Sequence, residues 1–173
     1  MIDYTNLFPI LPGDSDVWVY TTSRVLSDKD SDELTSLLAQ FASEWSSHGR
    51  KVDSGFEVID RQLILLGANI PGGDISGCGI DKSLQVLSDF SHTRNFHWVD
   101  SLSIVYRNSE SELSVESRAS FRTKVASGEV TADTIVVDTS LRLLDSVRAG
   151  LLELKSTDSW HGRLFQIPVH SAI

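Results

Sequence analysis

The residues best suited to chemistry in this sequence lie in one glycine-rich turn. Cys78 is the only cysteine among the 173 residues, and Gly77 and Gly79 flank it. The apolar spacing that follows predicts a helix over 81–90, so Cys78 lies just before a helix N-terminus. Unpaired N–H groups and the positive end of the helix dipole favour a thiolate or a bound anion at such a place. The turn therefore makes Cys78 a candidate nucleophile; the alternative is a small buried cysteine in a tight turn, with Gly77 and Gly79 required by the backbone geometry.

Polar residues of the same turn are candidate ligand-binding residues. The candidates are Ser76, Gly77, Gly79, Asp81, Lys82 and Ser83. Asp81 is interpreted first as the N-cap of the helix. A lysine beside the positive helix end is slightly unfavourable, which indicates an anionic or carboxylate partner. A phosphate-binding P-loop is excluded, because Ser76 and Asp81 occupy the two glycine positions that the motif requires.

Two histidines are candidate partners of the thiol. His48, with Gly49, is expected to end the first helix, where a protonated imidazole is favourable. His161 lies between Trp160 and Arg163 in a segment predicted to be irregular. That cluster suits an anionic or planar ligand, by stacking and bidentate hydrogen bonds, or docks the tail on the core. Cys78, His48 and His161 are thus the catalytic candidates, and no spacing typical of a metal or cofactor site is present.

The amino-acid composition indicates which partners and which cell compartment are expected. The net charge of −9 repels phosphate backbones, and no basic stripe offsets it, so nucleic acid is not an expected partner. A single cysteine fits a reducing compartment. No apolar run approaches the roughly 20 residues of a membrane span, and the N-terminus does not resemble a signal peptide. We expect a cytoplasmic protein with no membrane partner.

The elements that must position these residues follow a recognisable order. A strand is predicted over 17–20, then a helix with an apolar stripe from Leu34 to Trp45. Two strands over 55–59 and 62–67 join through a tight Asp60-Arg61 turn, the helix over 81–90 follows, and a strand covers 102–107. The order β-α-β-β-α-β predicts an α+β fold with an antiparallel sheet and a ferredoxin-like core.

The rest of the chain is expected to extend that core within a single domain, 1–173. A helix over 117–126, a strand over 134–137 and helical spacing over 141–151 form a C-terminal α/β extension. Residues 1–15 are predicted to be an extended lead-in, and 156–173 an irregular tail. In a ferredoxin-like fold, one face of the sheet has no helices on it. We expect a binding or dimer surface there, formed by Trp18, Tyr20 and Phe56; the alternative is that the C-terminal extension covers that face.

Several segments in the same order resemble a family of small, uncharacterised cytoplasmic proteins from Bacteroidota. The matching pieces are VWVY (17–20), SHG (47–49), SGFEV (54–58), SGCGID (76–81), TADTIV (131–136) and DSWHGR (158–163). Members often carry the label "ABC transporter ATPase". The chain has neither a Walker motif nor an ABC signature, so the label implies no mechanism here. Gly79 stands where a serine is usual, and Asp138-Thr139 where an asparagine pair is usual.

Two functions follow as expectations. The first is a soluble binding or interaction module whose small pocket lies between the 76–83 turn and the 160–163 segment. Its partner would be a small molecule or a protein, including a second copy of the chain. The alternative is a small thiol-dependent or acid/base enzyme using Cys78 with His48 or His161. The spacing yields no nucleophile–base–orienter set, which favours the binding module.

Overall fold

The first half of the chain forms a three-stranded antiparallel sheet with two helices. The computed structural model describes residues 2–169. In chain order the elements are β1 (Asp16–Thr21), α1 (Asp28–Glu44), β2 (Ser46–Ser47), β3 (Arg50–Lys51), β4 (Asp53–Ile59), β5 (Leu63–Asn69) and α2 (Gly77–His92). The strands pair in the order β1-β5-β4, and β2 and β3 make a separate short hairpin.

Helix α1 forms where its apolar stripe predicts it. Leu34 and Leu38 are buried, and the Ser27 side chain caps the N-terminus by accepting a hydrogen bond from the Asp30 amide at 3.1 Å. The predicted stop at His48 is wrong, because α1 already ends at Glu44. His48 and Gly49 instead form the turn between β2 and β3, with φ of 50° and 75°.

The predicted turn between β4 and β5 is confirmed. Asp60 and Arg61 have φ of 50° and 53°, the left-handed conformation that a tight antiparallel hairpin needs. Gly55 and Gly67 lie opposite each other in this hairpin, and the Phe8 ring lies against both. A Cβ atom on Gly67 would come within 2.6 Å of that ring. The glycine pair therefore provides the space for Phe8.

The second half of the chain builds another antiparallel sheet. Its elements are β6 (Ile104–Arg107), β7 (Leu113–Glu116), α3 (Arg118–Ala126), β8 (Ile135–Val137), α4 (Leu144–Arg148), β9 (Glu153–Lys155), a 3₁₀ turn (Ser156–Asp158) and α5 (Trp160–Phe165). The strand order is β7-β6-β8-β9. The chain is thus a mixed α+β protein with antiparallel sheets.

The ferredoxin-like core is not confirmed. In that arrangement the strand after α2 would pair with β1. Here β6 pairs with β7 and β8 in the second sheet. The outer edge of β1 is met only by two isolated bridges, Asp16 to Leu143 and Thr22 to Trp98, among the described residues.

The two sheets lie face to face, and each has its helices on the outer side. Val17 and Leu65 of the first sheet share a buried cluster with Val105 and Val137 of the second. Alternate residues of the first sheet contact α1 and α2, and those of the second contact α3 and α5. The extension therefore covers the bare face of the first sheet, whereas Trp18, Tyr20 and Phe56 pack on the side of α1 and α2.

The N-terminal segment is a packed part of the core rather than an extended lead-in. Tyr4, Phe8 and Leu11 are buried between the sheets. The Arg148 guanidinium of α4 donates hydrogen bonds to the carbonyls of Leu7, Phe8 and Leu11 at 3.1, 2.9 and 3.0 Å. One arginine near the end of the chain thus holds the turns at its start.

Two further expectations need correction. The helical spacing over 141–151 yields only the short α4, after which Gly150 adopts a φ of 80°. The tail is not irregular throughout, because it contains the 3₁₀ turn and α5. Residue 1 of the predicted lead-in and 170–173 of the predicted tail lie outside the described residues. No helix between residues 2 and 169 is long and apolar enough to cross a bilayer.

Candidate functional site

The glycine-rich turn around Cys78 is the first turn of α2. Ser76 is the N-cap, with its Oγ accepting a hydrogen bond from the Gly79 amide at 3.2 Å. The interpretation of Asp81 as the cap is therefore wrong, since the helix begins four residues earlier, at Gly77. Cys78 and Asp81 are both exposed. The thiol is open to solvent at a helix N-terminus.

The β2–β3 hairpin docks on this helix start. Ser47 Oγ lies 2.7 Å from Ser76 Oγ, and the Lys82 ammonium donates to the Ser46 carbonyl at 3.0 Å. Trp45 Nε1 donates to the Gly79 carbonyl at 2.9 Å. A Cβ atom on Gly79 would lie 3.0 Å from Ser47 Oγ, so glycine permits this close approach. Lys82 therefore has a backbone partner, and no anion is needed to explain it.

The hairpin brings His48 to the same region of the surface as the cysteine turn. His48 directly follows Ser47, whose hydroxyl is bonded to the N-cap Ser76. Its side chain is exposed, as is that of Cys78. Ser83 is buried, and its Oγ donates to the Ile80 carbonyl at 2.7 Å, inside the helix. Of the predicted partners, His48 is the one whose element contacts the start of α2.

His161 is buried in α5. Its ring stacks on Trp160 with 3.6 Å between centroids and a 23° angle between planes. Nδ1 lies 2.8 Å from Ser159 Oγ. Burial lowers the pKa of His161 to about 4, and the Asp138 carboxylate opposes part of that effect. The imidazole is therefore neutral at pH 7 and has little contact with solvent.

The two halves of the predicted pocket belong to different hydrophobic clusters. The α2 start packs near Trp45 and Val52, through Ile75. Trp160 and Phe165 of α5 pack with Phe121 in the cluster on the outer face of the second sheet. Arg163 is exposed. A pocket shared between the 76–83 turn and the 160–163 segment stays a prediction, as does thiol chemistry at Cys78.

The buried imidazole gives the protein a definite pH dependence. Unfolded His161 has an ordinary pKa near 6.5 and takes up a proton that the folded protein excludes. The free energy of unfolding should therefore fall as the pH decreases from about 6.5 to about 4. Urea unfolding at several pH values measures this slope. We expect a smaller slope for His161→Phe and an unchanged one for His48→Asn; equal slopes in wild type and His161→Phe would contradict the prediction.

A cleft that the sequence patterns do not predict lies beside the second sheet. Its volume is about 660 Å³, within the usual range for small-molecule sites. It extends from the β4–β5 turn to the ends of β6 and β9 and to the loop between α3 and β8. The lining residues are Ile2, Asp60, Tyr106, Arg107, Asn108, Ser109, Ser111, Glu129, Thr131, Asp133, Thr134, Ile135 and Glu153.

A charged triad joins the two sheets at this cleft. Arg107 Nε and Nη2 both donate to Glu153 Oε1, at 3.0 and 2.6 Å. Arg107 Nη1 donates to Asp60 Oδ2 at 2.9 Å. The Glu153 side chain is only 1 % exposed, against 48 % for Asp60. Two carboxylates share one guanidinium, so the triad carries one excess negative charge.

Part of the triad's hydrogen-bonding capacity is unused. Glu153 Oε2 and the Tyr4 hydroxyl are both buried and have no hydrogen-bond partner among the described residues. Burial is the main cause that raises the pKa of Tyr4, and the Glu153 carboxylate adds to it. Buried polar atoms without partners are uncommon in folded proteins. Glu153 Oε2 can therefore accept, and the Tyr4 hydroxyl can donate, one further hydrogen bond.

The rim of the cleft carries two more acidic groups with lysine partners. Glu129 pairs with Lys124, and Asp133 pairs with Lys155 at 2.8 Å. Both carboxylates are more than half exposed, so these pairs are weak and open to exchange with a ligand. No cluster of three or more histidine, cysteine, aspartate or glutamate side chains suited to a metal ion occurs among residues 2–169.

A faint sequence signal for the cleft exists. Arg107 stands two positions after Val105, which places a charge on the buried face of a strand, and Glu153 follows the buried Leu152. Charged side chains are rarely buried without a partner of opposite charge. A buried arginine and a buried glutamate are therefore expected to pair. Their separation of 46 residues hides the pairing from any local pattern.

Comparisons with known proteins add no relative. No family model matches the chain, and neither the curated proteins nor the solved structures contain a match.

Proposed function

We propose that this protein is a binding module for a small molecule that carries an ammonium or guanidinium group. The ligand lies in the cleft, with its cationic group directed at the Glu153 carboxylate. The single observation that carries the proposal is Glu153 Oε2, a buried acceptor without a partner among the described residues. Membership of the resembled Bacteroidota family stays a prediction.

The charges of the cleft select the class of ligand. The lining contains four carboxylates and one guanidinium, and the Lys124 and Lys155 ammonium groups stand on the rim. The triad has an excess of one negative charge, and Glu153 is its buried member. That charge attracts a cation and repels phosphates and carboxylates. A hydrogen bond from a charged donor to Glu153 satisfies the unused oxygen.

A purely structural role of the triad, joining the two sheets, is the competing interpretation. The ligand-site interpretation and the structural interpretation predict different results for Glu153→Gln. Glutamine keeps the side-chain shape and an oxygen for Arg107, but it removes the negative charge. If the triad only joins the sheets, amines do not bind either protein. If the cleft is a ligand site, amines bind the wild type and not the variant.

The experiment is a titration of ¹⁵N-labelled protein followed by amide chemical shifts. The probes are butylammonium, agmatine and the neutral 1-butanol. We expect saturable shifts at Asn108, Thr131 and Thr134 with the two cations only, and binding at least tenfold weaker in Glu153→Gln. Glu57→Gln, an exposed carboxylate on β4, serves as the control for a change in net charge. Absent shifts, or equal binding by both proteins, would refute the proposal.

A further inference from the structure

The outer edge of β1 carries backbone groups that nothing in the described chain pairs. Strand β1 pairs with β5 on its other side, through residues 16, 18 and 20. On the outer side, the Val17 amide donates to the Arg142 carbonyl and the Thr21 carbonyl accepts from the Val99 amide. Between these two bonds, four backbone groups point outward without a partner among residues 2–169. They are the Val17 carbonyl, the Val19 amide, the Val19 carbonyl and the Thr21 amide.

This gap is where the fourth strand of the predicted sheet would lie. The bridges at Thr22 and Asp16 close it at both ends, so it spans only three residues of β1, about 10 Å. A continuous strand cannot pass through. A short segment of two or three residues can enter.

A cavity of about 190 Å³ occupies the gap. Its lining residues are Val19, Tyr20, Thr21, Val99, Asp100, Ser101, Val105, Thr139 and Arg142. The Thr21 side chain is among them: this residue is 3 % exposed, and its Oγ1 is buried without a hydrogen-bond partner within the described chain. The cavity thus offers an unused hydroxyl beside the unused strand edge.

The two ends of the cavity carry opposite charges. Arg142 lies opposite Val17; its hydrogen bonds to the Thr139 and Leu141 carbonyls both use Nη1, and no described acidic group pairs with it. Asp100 follows Val99 at the other end. Its Oδ1 accepts bonds from Leu102 and Ser103, which lower the pKa of the carboxyl, so it stays charged.

The direction of an added strand matches these charges. An antiparallel strand on β1 runs from the Thr22 end toward the Asp16 end. Its N-terminus therefore lies near Asp100, and its C-terminus near Arg142. A short peptide with free ends places an ammonium beside a carboxylate and a carboxylate beside a guanidinium, while its backbone pairs with Val19.

We propose that the β1 edge binds a short peptide of two or three residues with free termini, as the missing strand of the first sheet. The site is separate from the Arg107–Glu153 cleft and does not depend on the function proposed for it. A free amino acid shares the charged ends but lacks the length to reach both Asp100 and Arg142, so the probes include one.

Amide chemical shifts of ¹⁵N-labelled full-length protein test the proposal. The probes are alanine, trialanine with free ends, and trialanine with an acetylated N-terminus and an amidated C-terminus. We expect saturable shifts at the Val19 and Thr21 amides with free trialanine. Binding should be at least tenfold weaker for alanine and for the capped peptide.

Two variants make the test specific. Arg142→Gln should weaken binding of free trialanine at least tenfold and leave the weaker binding of the doubly capped trialanine unchanged. Arg118→Gln, an exposed arginine at the start of α3, should leave both unchanged. No saturable shift with free trialanine, equal binding of free and capped peptide, or tighter binding of alanine would each overturn the proposal.

Discussion

Replacing Arg107 with methionine should lower the free energy of unfolding by about 3–5 kcal/mol. The substitution leaves the Glu153 carboxylate, which is 1 % exposed, without its cation and without both hydrogen bonds to Oε1. A buried charge with no partner costs far more than the lost contact contributes in the intact pair. Urea unfolding monitored by circular dichroism measures the loss.

The matching double variant separates the charge from the packing. Arg107→Met combined with Glu153→Leu removes both buried charges, and we expect it to recover most of the lost stability. Asp60→Asn should cost less than about 1 kcal/mol, because Asp60 is half-exposed and its ion pair is solvated. A double variant no more stable than Arg107→Met would show that the triad contributes through shape, not charge.

Phe121→Ala should cost about 3–5 kcal/mol, the usual loss for a buried phenylalanine. Phe121 is fully buried where α3, β6 and α5 meet. Its ring contacts Tyr106 at 5.4 Å and Phe165 at 4.8 Å between centroids, both nearly edge-to-face. The truncation leaves a cavity that three separate elements line, and none can close it alone.

The control for this second prediction is an exposed residue of α5, the helix that packs against Phe121. Leu164 of α5 is 44 % exposed, so Leu164→Ala should cost about 1 kcal/mol or less. Thermal and urea unfolding of both variants give the comparison. Similar losses for the two would mean that burial in the aromatic cluster does not set the cost, and would contradict the prediction.

Local structure was predictable where one segment determines it. The apolar stripe of α1 and the Asp60-Arg61 turn depend on neighbouring residues, and the structure confirms both. The same applies to α3, whose N-cap is Ser117. These elements obey rules of spacing and capping that one strand or helix satisfies alone.

Sheet assembly was not predictable in the same way. Strand β6 has the pattern of a buried strand, but the pattern does not say whether β1 or β8 lies beside it. Strands β7 and β9 have only four and three residues, too few for alternation to stand out. The second sheet was therefore not predicted. Neither was the charged triad formed by Asp60, Arg107 and Glu153.

The candidate site depends on long-range packing in the same way. The β2–β3 hairpin that carries His48 was not predicted, and it contacts the start of α2 through Ser47 and Ser76, which are 29 residues apart. The position of His161 depends on where a late segment packs: it is buried in α5 and stacks on Trp160, which packs against the cluster with Phe121. Whether Cys78 and His48 do chemistry is a separate prediction that thiol labelling can address.

The layer between the sheets has a consequence for how the chain folds during translation. The first sheet is complete once β5 has been synthesised. Its inner face, however, is covered by β6, β8 and α4, which are synthesised later. The Arg148 hydrogen bonds to the N-terminal turns form last. At about 5–20 residues per second, the roughly 80 residues from β5 to Arg148 take on the order of 4–16 s to emerge. For that time a nascent chain presents an apolar sheet face that the second sheet has not yet covered, a surface that chaperones can shield from aggregation.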